Sequence, residues 1–217
     1  MARSEQESAL RNPLTSIIGM DSNIRVLRAL VRHGGMLSAS EIVRLSKLSR
    51  DAVRRGLLSL ESLGMIASSG SSHAKVHRFN DGHIFAPALR ALFNAERERF
   101  EAILETVRQS VAGRPVFSLF IYGSAARGDD GPDSDLDIGL VASADHLSEV
   151  VEGVREALRE PAEALVFLPN VVGLDFDDIR RLSQDDDPWW RHVKQDAVVL
   201  SGKRPEDAAT VRGDLHG

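Results

Sequence analysis

At Gly113-Arg114-Pro115 the spacing of the apolar residues changes period. From Ile84 up to that point they recur every three to four residues, the mark of a helix with one buried face. Immediately after it, Val116 to Tyr122 is an unbroken apolar run of strand length. A chain with such a switch is expected to hold two differently built parts, and 217 residues suffice for two small domains.

The charges divide in the same way. Residues 1–95 carry 13 Lys/Arg and 7 Asp/Glu, whereas residues 96–217 carry 14 and 25, so a net charge of −5 conceals a basic half and an acidic half. The basic half suits a nucleic-acid partner. The acidic half repels one unless its carboxylates hold cations. There are no cysteines, which excludes disulfides and thiolate zinc sites. No apolar run is long enough for a membrane span, and the first ten residues lack the apolar core of a signal peptide. A cytoplasmic protein with no membrane partner is expected.

Residues 1–20 have little periodicity and read as a flexible lead-in. A helix from Ser22 to His33 is predicted from Ile24, Leu27, Leu30 and Val31, with Asp21 or Ser22 as its cap and Gly34-Gly35 as its stop. A second helix, Ala39 to Ser46, carries the capping-box pair Ser38 and Glu41. A third, Arg50 to Leu63, has Ser49 as N-cap and a buried stripe of Val53, Leu57, Leu60 and Leu63. Two short β-like runs follow, Met65–Ser68 and Ala74–Phe79, around the hairpin tip Ser69–His73. Three helices with a short turn between the last two, then a hairpin, form the winged helix-turn-helix layout, expected over residues 21–83. Its third helix would meet DNA through Ser49, Arg50, Arg54 and Arg55, and its wing through His73 and Lys75. Winged helices also dock proteins, which remains the alternative. His73, His77 and His83 are too scattered for a metal site and are read as structural.

One long helix is predicted from Ile84 to Val111, with a break near Asn94 and an apolar face of Leu89, Leu92, Phe93, Phe100, Ile103, Leu104 and Val107. Residues 84–112 would link the domains and offer a dimer surface. The second domain, residues 113–202, is predicted to hold strands at 116–122 and 136–141 and a helix around Leu147–Leu158. A further strand, 171–174, precedes a helix capped by Asp175. A short helix near Trp189–Lys194 and a last strand at 197–200 complete it. Trp189 and Trp190, beside Pro188, are assigned to core or interface rather than to a base-stacking platform. Residues 203–217 read as a loose tail.

The chemistry lies between Tyr122 and Ile138. The first strand ends in Gly123-Ser124, where the missing side chain lets a phosphate approach the backbone and the serine offers hydroxyl and N–H donors. Arg127 follows about one helical turn on, placed to bind phosphate or brace the acids. About a dozen residues after Ser124, Asp135 and Asp137 head a second strand, where alternation puts both carboxylates on one face. Unpaired, they repel each other; a hard divalent cation between them, shared with nucleotide phosphates, makes the pair favourable.

Residues 123–138, GSAARGDDGPDSDLDI, resemble the signature of the DNA polymerase β-like nucleotidyltransferase superfamily in its small prokaryotic form. The resemblance implies an α+β fold with a mixed β-sheet and flanking helices, Mg2+ (or Mn2+), and transfer of a nucleoside monophosphate from a nucleoside triphosphate. Gly123 and Ser124 would hold the triphosphate, and Asp135 and Asp137 the metal as catalytic acids. Residues 21–96 are similar to winged-helix domains fused to such modules in bacterial regulators. The resemblance also implies a third carboxylate on a later strand, and Asn170-Val171-Val172-Gly173-Leu174 has none. A DNA-binding, homodimeric transcription regulator with a nucleotide-binding domain is therefore expected. An active nucleotidyltransferase and an antitoxin-like partner of a toxin are the alternatives.

Overall fold

The computed structural model describes residues 17–71, 74–131 and 133–208. They form two compact units that divide between Arg97 and Glu98. The architecture is α+β, with one sheet in each unit.

The first unit contains α1 (Asp21–His33), β1 (Leu37–Ser38), α2 (Ala39–Ser46), α3 (Arg50–Ser62), β2 (Ile66–Ser69) and β3 (Val76–Phe79). Local capping sets most of the helix ends. Ser38 accepts from the Glu41 N–H while Glu41 reaches back to the Ser38 N–H at 2.7 Å, and Ser49 accepts from Ala52 at 3.3 Å. Gly34, at φ 74°, ends α1 in the left-handed conformation. The start of α1 differs from expectation: its N-cap is Met20, with no side-chain cap. The lead-in is also shorter than predicted, because Ile17 is buried in the core with Val26, Leu30, Ile42 and Leu60.

The three strands make an antiparallel sheet in the order β1-β3-β2. The two-residue β1 was not foreseen; Leu37-Ser38 is too short to show a period, and its partners His77 and Val76 lie far along the chain. His77 is buried and its Nδ1 shares a 2.8 Å hydrogen bond with Ser68 Oγ. Burial, with the Lys75 charge nearby, lowers its pKa, in keeping with a structural histidine.

The long helix α4 (Ala86–Ser110) runs without a break at Asn94. Its apolar residues do not serve one core. Ala86, Leu89 and Phe93 belong to the first core, Ile103, Leu104, Val107 and the following Val111 to the second, and Leu92 and Phe100 are exposed. The two ends of one apolar stripe serve two cores, a division that the sequence period does not show.

The second unit is built on β4 (Val116–Tyr122), β5 (Leu136–Ala142), β6 (Pro169–Leu174) and β7 (Val198–Gly202), ordered β6-β5-β4-β7. β5 pairs antiparallel with β4 and parallel with β6, and β7 closes the other edge antiparallel to β4. The parallel pair needs a crossover, which α6 (Ala144–Leu165) provides. α6 outruns the predicted helix and continues through Pro161. Arg99 donates to the terminal carbonyls of Leu165 and Val166 at 2.8 and 2.6 Å, satisfying acceptors that have no partner within a helix.

Alternation gives the sheet two apolar faces. Leu136, Ile138 and Leu140 pack with Val150, Val154 and Leu158 of α6 and the last turns of α4. Phe120, Tyr122 and Val141 pack on the other side with Ile179 of α7 (Phe176–Gln184) and Trp190 and Val193 of α8 (Pro188–Asp196). The C-terminal end is better tied than the expected loose tail: residues 205–208 form a short 3-10 turn and Ala208 is buried. Ser118 Oγ donates to the Lys203 carbonyl at 2.6 Å, and Arg204 donates to Lys194. Residues 209–217 lie outside the described part. No described helix is long and apolar enough to cross a membrane.

Candidate active site

Three neighbouring strands bring the site together at one end of the second sheet. Tyr122, the last residue of β4, pairs with Asp137 of β5, and Asp137 pairs with Asn170 of β6. Residues directly opposite each other share a face, so a tyrosine, a carboxylate and an amide line up across the sheet. Asn170 Nδ2 donates to Asp137 Oδ1 at 2.9 Å. The other oxygen, Oδ2, lies against Gly123, which has φ 70°. A Cβ at that position would overlap Oδ2. The glycine therefore does two things: it allows the left-handed turn from β4 into the five-residue helix α5 (Gly123–Arg127), and it leaves the carboxylate room. Ser124 follows, half-buried, in α5.

Asp135 departs from the expected pattern. β5 begins at Leu136, so Asp135 stands just outside the regular stretch and is exposed. It lines a cleft with Ala125, Ser134, Phe167 and Pro169, whereas Asp137 lines a second cleft with Gly123, Asn170 and residues of α8. Alternation fixes facing only within a strand, and here the strand starts one residue too late to govern both acids.

Arg127 is held by two carboxylates. Its Nη1 donates to Asp196 Oδ2 at 2.6 Å and its Nε to Asp129 Oδ2 at 3.2 Å. These hydrogen bonds, Asp196 first, raise its pKa further, so it stays charged. Both partners differ from Asp135 and Asp137, the acids it was expected to brace. Tyr122 is buried, and burial together with the Asp137 charge pushes its hydroxyl up to about 12, so it remains a neutral phenol at physiological pH.

Asp175 is remote from this cluster. β6 runs parallel to β5 from Leu136↔Pro169 to Val141↔Leu174, so Asp175 follows the opposite end of the strand from Asn170. Five residues at about 3.3 Å each separate them by roughly 17 Å. Its carboxylate accepts from the Asp177 and Asp178 N–H groups in a capping box that starts α7.

A divalent cation fits the donor set to a limited extent. Among the described residues no group of three or more His, Cys, Asp or Glu side chains is placed to hold a metal. Two carboxylates suit Mg2+ that arrives with nucleotide phosphates and keeps waters, rather than one caged by protein alone.

Residues 101–178 match the nucleotidyltransferase domain model. The match covers Gly123, Ser124, Asp135, Asp137 and Asn170 and ends at Asp178, before α8. Two solved structures share low similarity with the chain. A toxin-antitoxin crystal structure with AMP-PNP is 20% identical over 51% of this chain and 80% of that one, with a TM-score of 0.31. A mutant of the toxin-antitoxin MntA-HpeT is 16% identical over 51% and 80%, with a TM-score of 0.30. No curated protein matches the chain. Within the nucleotidyltransferase domain, Asn170 is the residue that sequence reasoning noticed only as a missing acid. Its contact with Asp137 depends on a pairing 33 residues apart, which no local signal reveals.

The residues expected to meet DNA lie in the first unit. Arg50, Arg54 and Arg55 are exposed on α3, with Arg54 3.8 Å from Asp51. Ser49 serves as the α3 cap. Lys75 pairs with Glu61 at 3.2 Å, so its charge is partly met within the unit. His73 lies outside the described residues.

Proposed function

We propose that the nucleotidyltransferase domain binds a nucleoside triphosphate with Mg2+ (or Mn2+), and that the chain is a homodimeric DNA-binding regulator with little or no transferase activity. Gly123 and Ser124 take the phosphates, Asp137 holds the cation, the exposed Asp135 side chain turns from its own cleft to join it, and Arg127 holds the α5 turn through Asp196 and Asp129. The observation that carries this reading is the Asn170–Asp137 hydrogen bond. The resemblance expects a third carboxylate on a later strand. In this chain an amide stands beside Asp137 instead, and it donates a proton where a general base would accept one. Metal supplies charge neutralisation on the phosphates; deprotonating an acceptor needs a further group within hydrogen-bond reach.

Incubation with labelled nucleoside triphosphates, Mg2+ or Mn2+ and cell lysate is expected to leave protein, RNA and small molecules unlabelled. Asp175→Ala should cost about 1 kcal/mol of stability through the lost cap and leave nucleotide binding unchanged. Robust metal-dependent transfer would contradict the first statement, and its loss in Asp175→Ala at unchanged nucleotide affinity would give Asp175 a catalytic role in place of a purely capping one.

The first unit supports the DNA reading by its basic charge, its three helices and antiparallel sheet, and the exposed arginines of α3. In a winged helix-turn-helix, α3 is the element that enters the major groove, and a homodimer would match a two-fold-related site. Affinity for DNA should fall steeply with salt, as phosphate neutralisation releases counterions. Arg54→Ala should weaken specific binding by roughly 1–3 kcal/mol. Absence of salt-dependent binding in a selection from genomic DNA would replace this reading with a protein-docking role.

A further inference from the structure

The cleft that holds Asp137 extends beyond the phosphate end of the site. It measures about 870 Å³, within the range of pockets that take small organic ligands. Its far wall is α8, which contributes Trp189, His192, Gln195 and Asp196. The two adjacent tryptophans of α8 are divided by the helix. Trp190 is completely buried and donates Nε1–H to Ser183 Oγ at 2.9 Å, while Trp189 remains 36% exposed at the cleft. Tyr122 meets Trp189 edge-on, with ring centroids 5.7 Å apart and planes at 88°. A half-exposed indole, braced by a buried tyrosine, gives this cleft an aromatic wall beside Val172 and Val193 and alongside its polar groups.

We infer that Trp189 is the stacking surface for the nucleobase and that α8 sets the base-recognition end of the site. This rests on the proposed nucleotide reading: with phosphates and cation at Gly123 and Asp137, the remaining part of a nucleotide has an aromatic face and a polar edge. Trp189 supplies an aromatic face for the first. Gln195, which offers both donor and acceptor groups, and His192 stand on the same cleft for the second. Asp196 is neutralised by Arg127, so the wall does not add an unpaired negative charge.

The test uses the full chain and compares Mg-ATP with Mg-tripolyphosphate, which has the phosphates and no base. Trp189→Ala should weaken Mg-ATP by about 5- to 100-fold, the usual worth of a base–aromatic stack, and leave Mg-tripolyphosphate unchanged. Trp189→Phe should retain most of the ATP affinity. Trp189 fluorescence should be altered by ATP and not by tripolyphosphate, with the response absent in Trp189→Phe, where buried Trp190 is the remaining reporter. Equal losses for both ligands would mean that Trp189 acts through Tyr122 on the phosphate end, and no loss for either would mean that the base lies elsewhere; both overturn the inference. Failure of the unaltered protein to bind either ligand would instead bring down the nucleotide reading, and this inference with it.

Discussion

Trp190→Ala is expected to destabilise the second unit by about 3–5 kcal/mol, the usual cost of deleting a fully buried aromatic side chain. Trp190 has no exposed surface and packs in the core formed by Phe120, Val141, Leu174, Ile179 and Val193. The substitution also removes the indole donor to Ser183. Domains are stable by only about 5–15 kcal/mol, so a loss of this size leaves a substantial unfolded population near physiological temperature. Denaturant titration of the full chain, followed by far-UV circular dichroism, would show the transition of the second unit moving to lower denaturant. Trp190→Phe should lose less, because it keeps a large ring and gives up the hydrogen bond. A loss below 1 kcal/mol for the alanine variant would mean that α8 is not packed as described.

Gly123→Ala is expected to reduce metal-dependent nucleotide binding at least tenfold, a change of about 1.4 kcal/mol or more. The added methyl group acts twice. The left-handed backbone at Gly123 costs a residue with a Cβ about 1–2 kcal/mol. The Cβ also falls on Asp137 Oδ2, which has to swing away. That carboxylate is tied on its other oxygen by Asn170, so the displacement breaks or bends the 2.9 Å hydrogen bond. Binding should therefore suffer more than stability. Calorimetry and denaturant titration on the same variant separate the two effects, and intact nucleotide affinity would refute the account of Gly123.

How much of this was legible in the sequence depended on the range of the interaction. The capping boxes at Ser38–Glu41 and Asp175–Asp178 are three-residue patterns, and both were predictable or nearly so. The strand Val116–Tyr122 announced itself by an unbroken apolar run. The pair Gly123 and Asp137 was legible as chemistry, but their mutual contact follows from the pairing of β4 with β5. Asn170 and Asp196 reach the site across 33 and 69 residues, and nothing near either marks it as a site residue. Asp135 shares the face of Asp137 only if alternation extends one residue ahead of the strand, and β5 begins at Leu136. Trp189 and Trp190 look alike in sequence; only the orientation of α8 divides them between cleft and core. Leu92 and Phe100 joined an apolar stripe that the helix divides between two cores.

In the proposed function, Asp135 and Asp137 hold the cation that brings a nucleoside triphosphate to Gly123 and Ser124. Without Mg2+ the site sets carboxylates against phosphates, and attraction appears only when a divalent ion neutralises both. Isothermal titration calorimetry of ATP against the full chain, with and without Mg2+, tests this most directly. Binding should require Mg2+ in the unaltered protein and be lost in Asp135→Ala and in Asp137→Ala, with both variants folded. Unchanged Mg-ATP affinity in the two variants would contradict it.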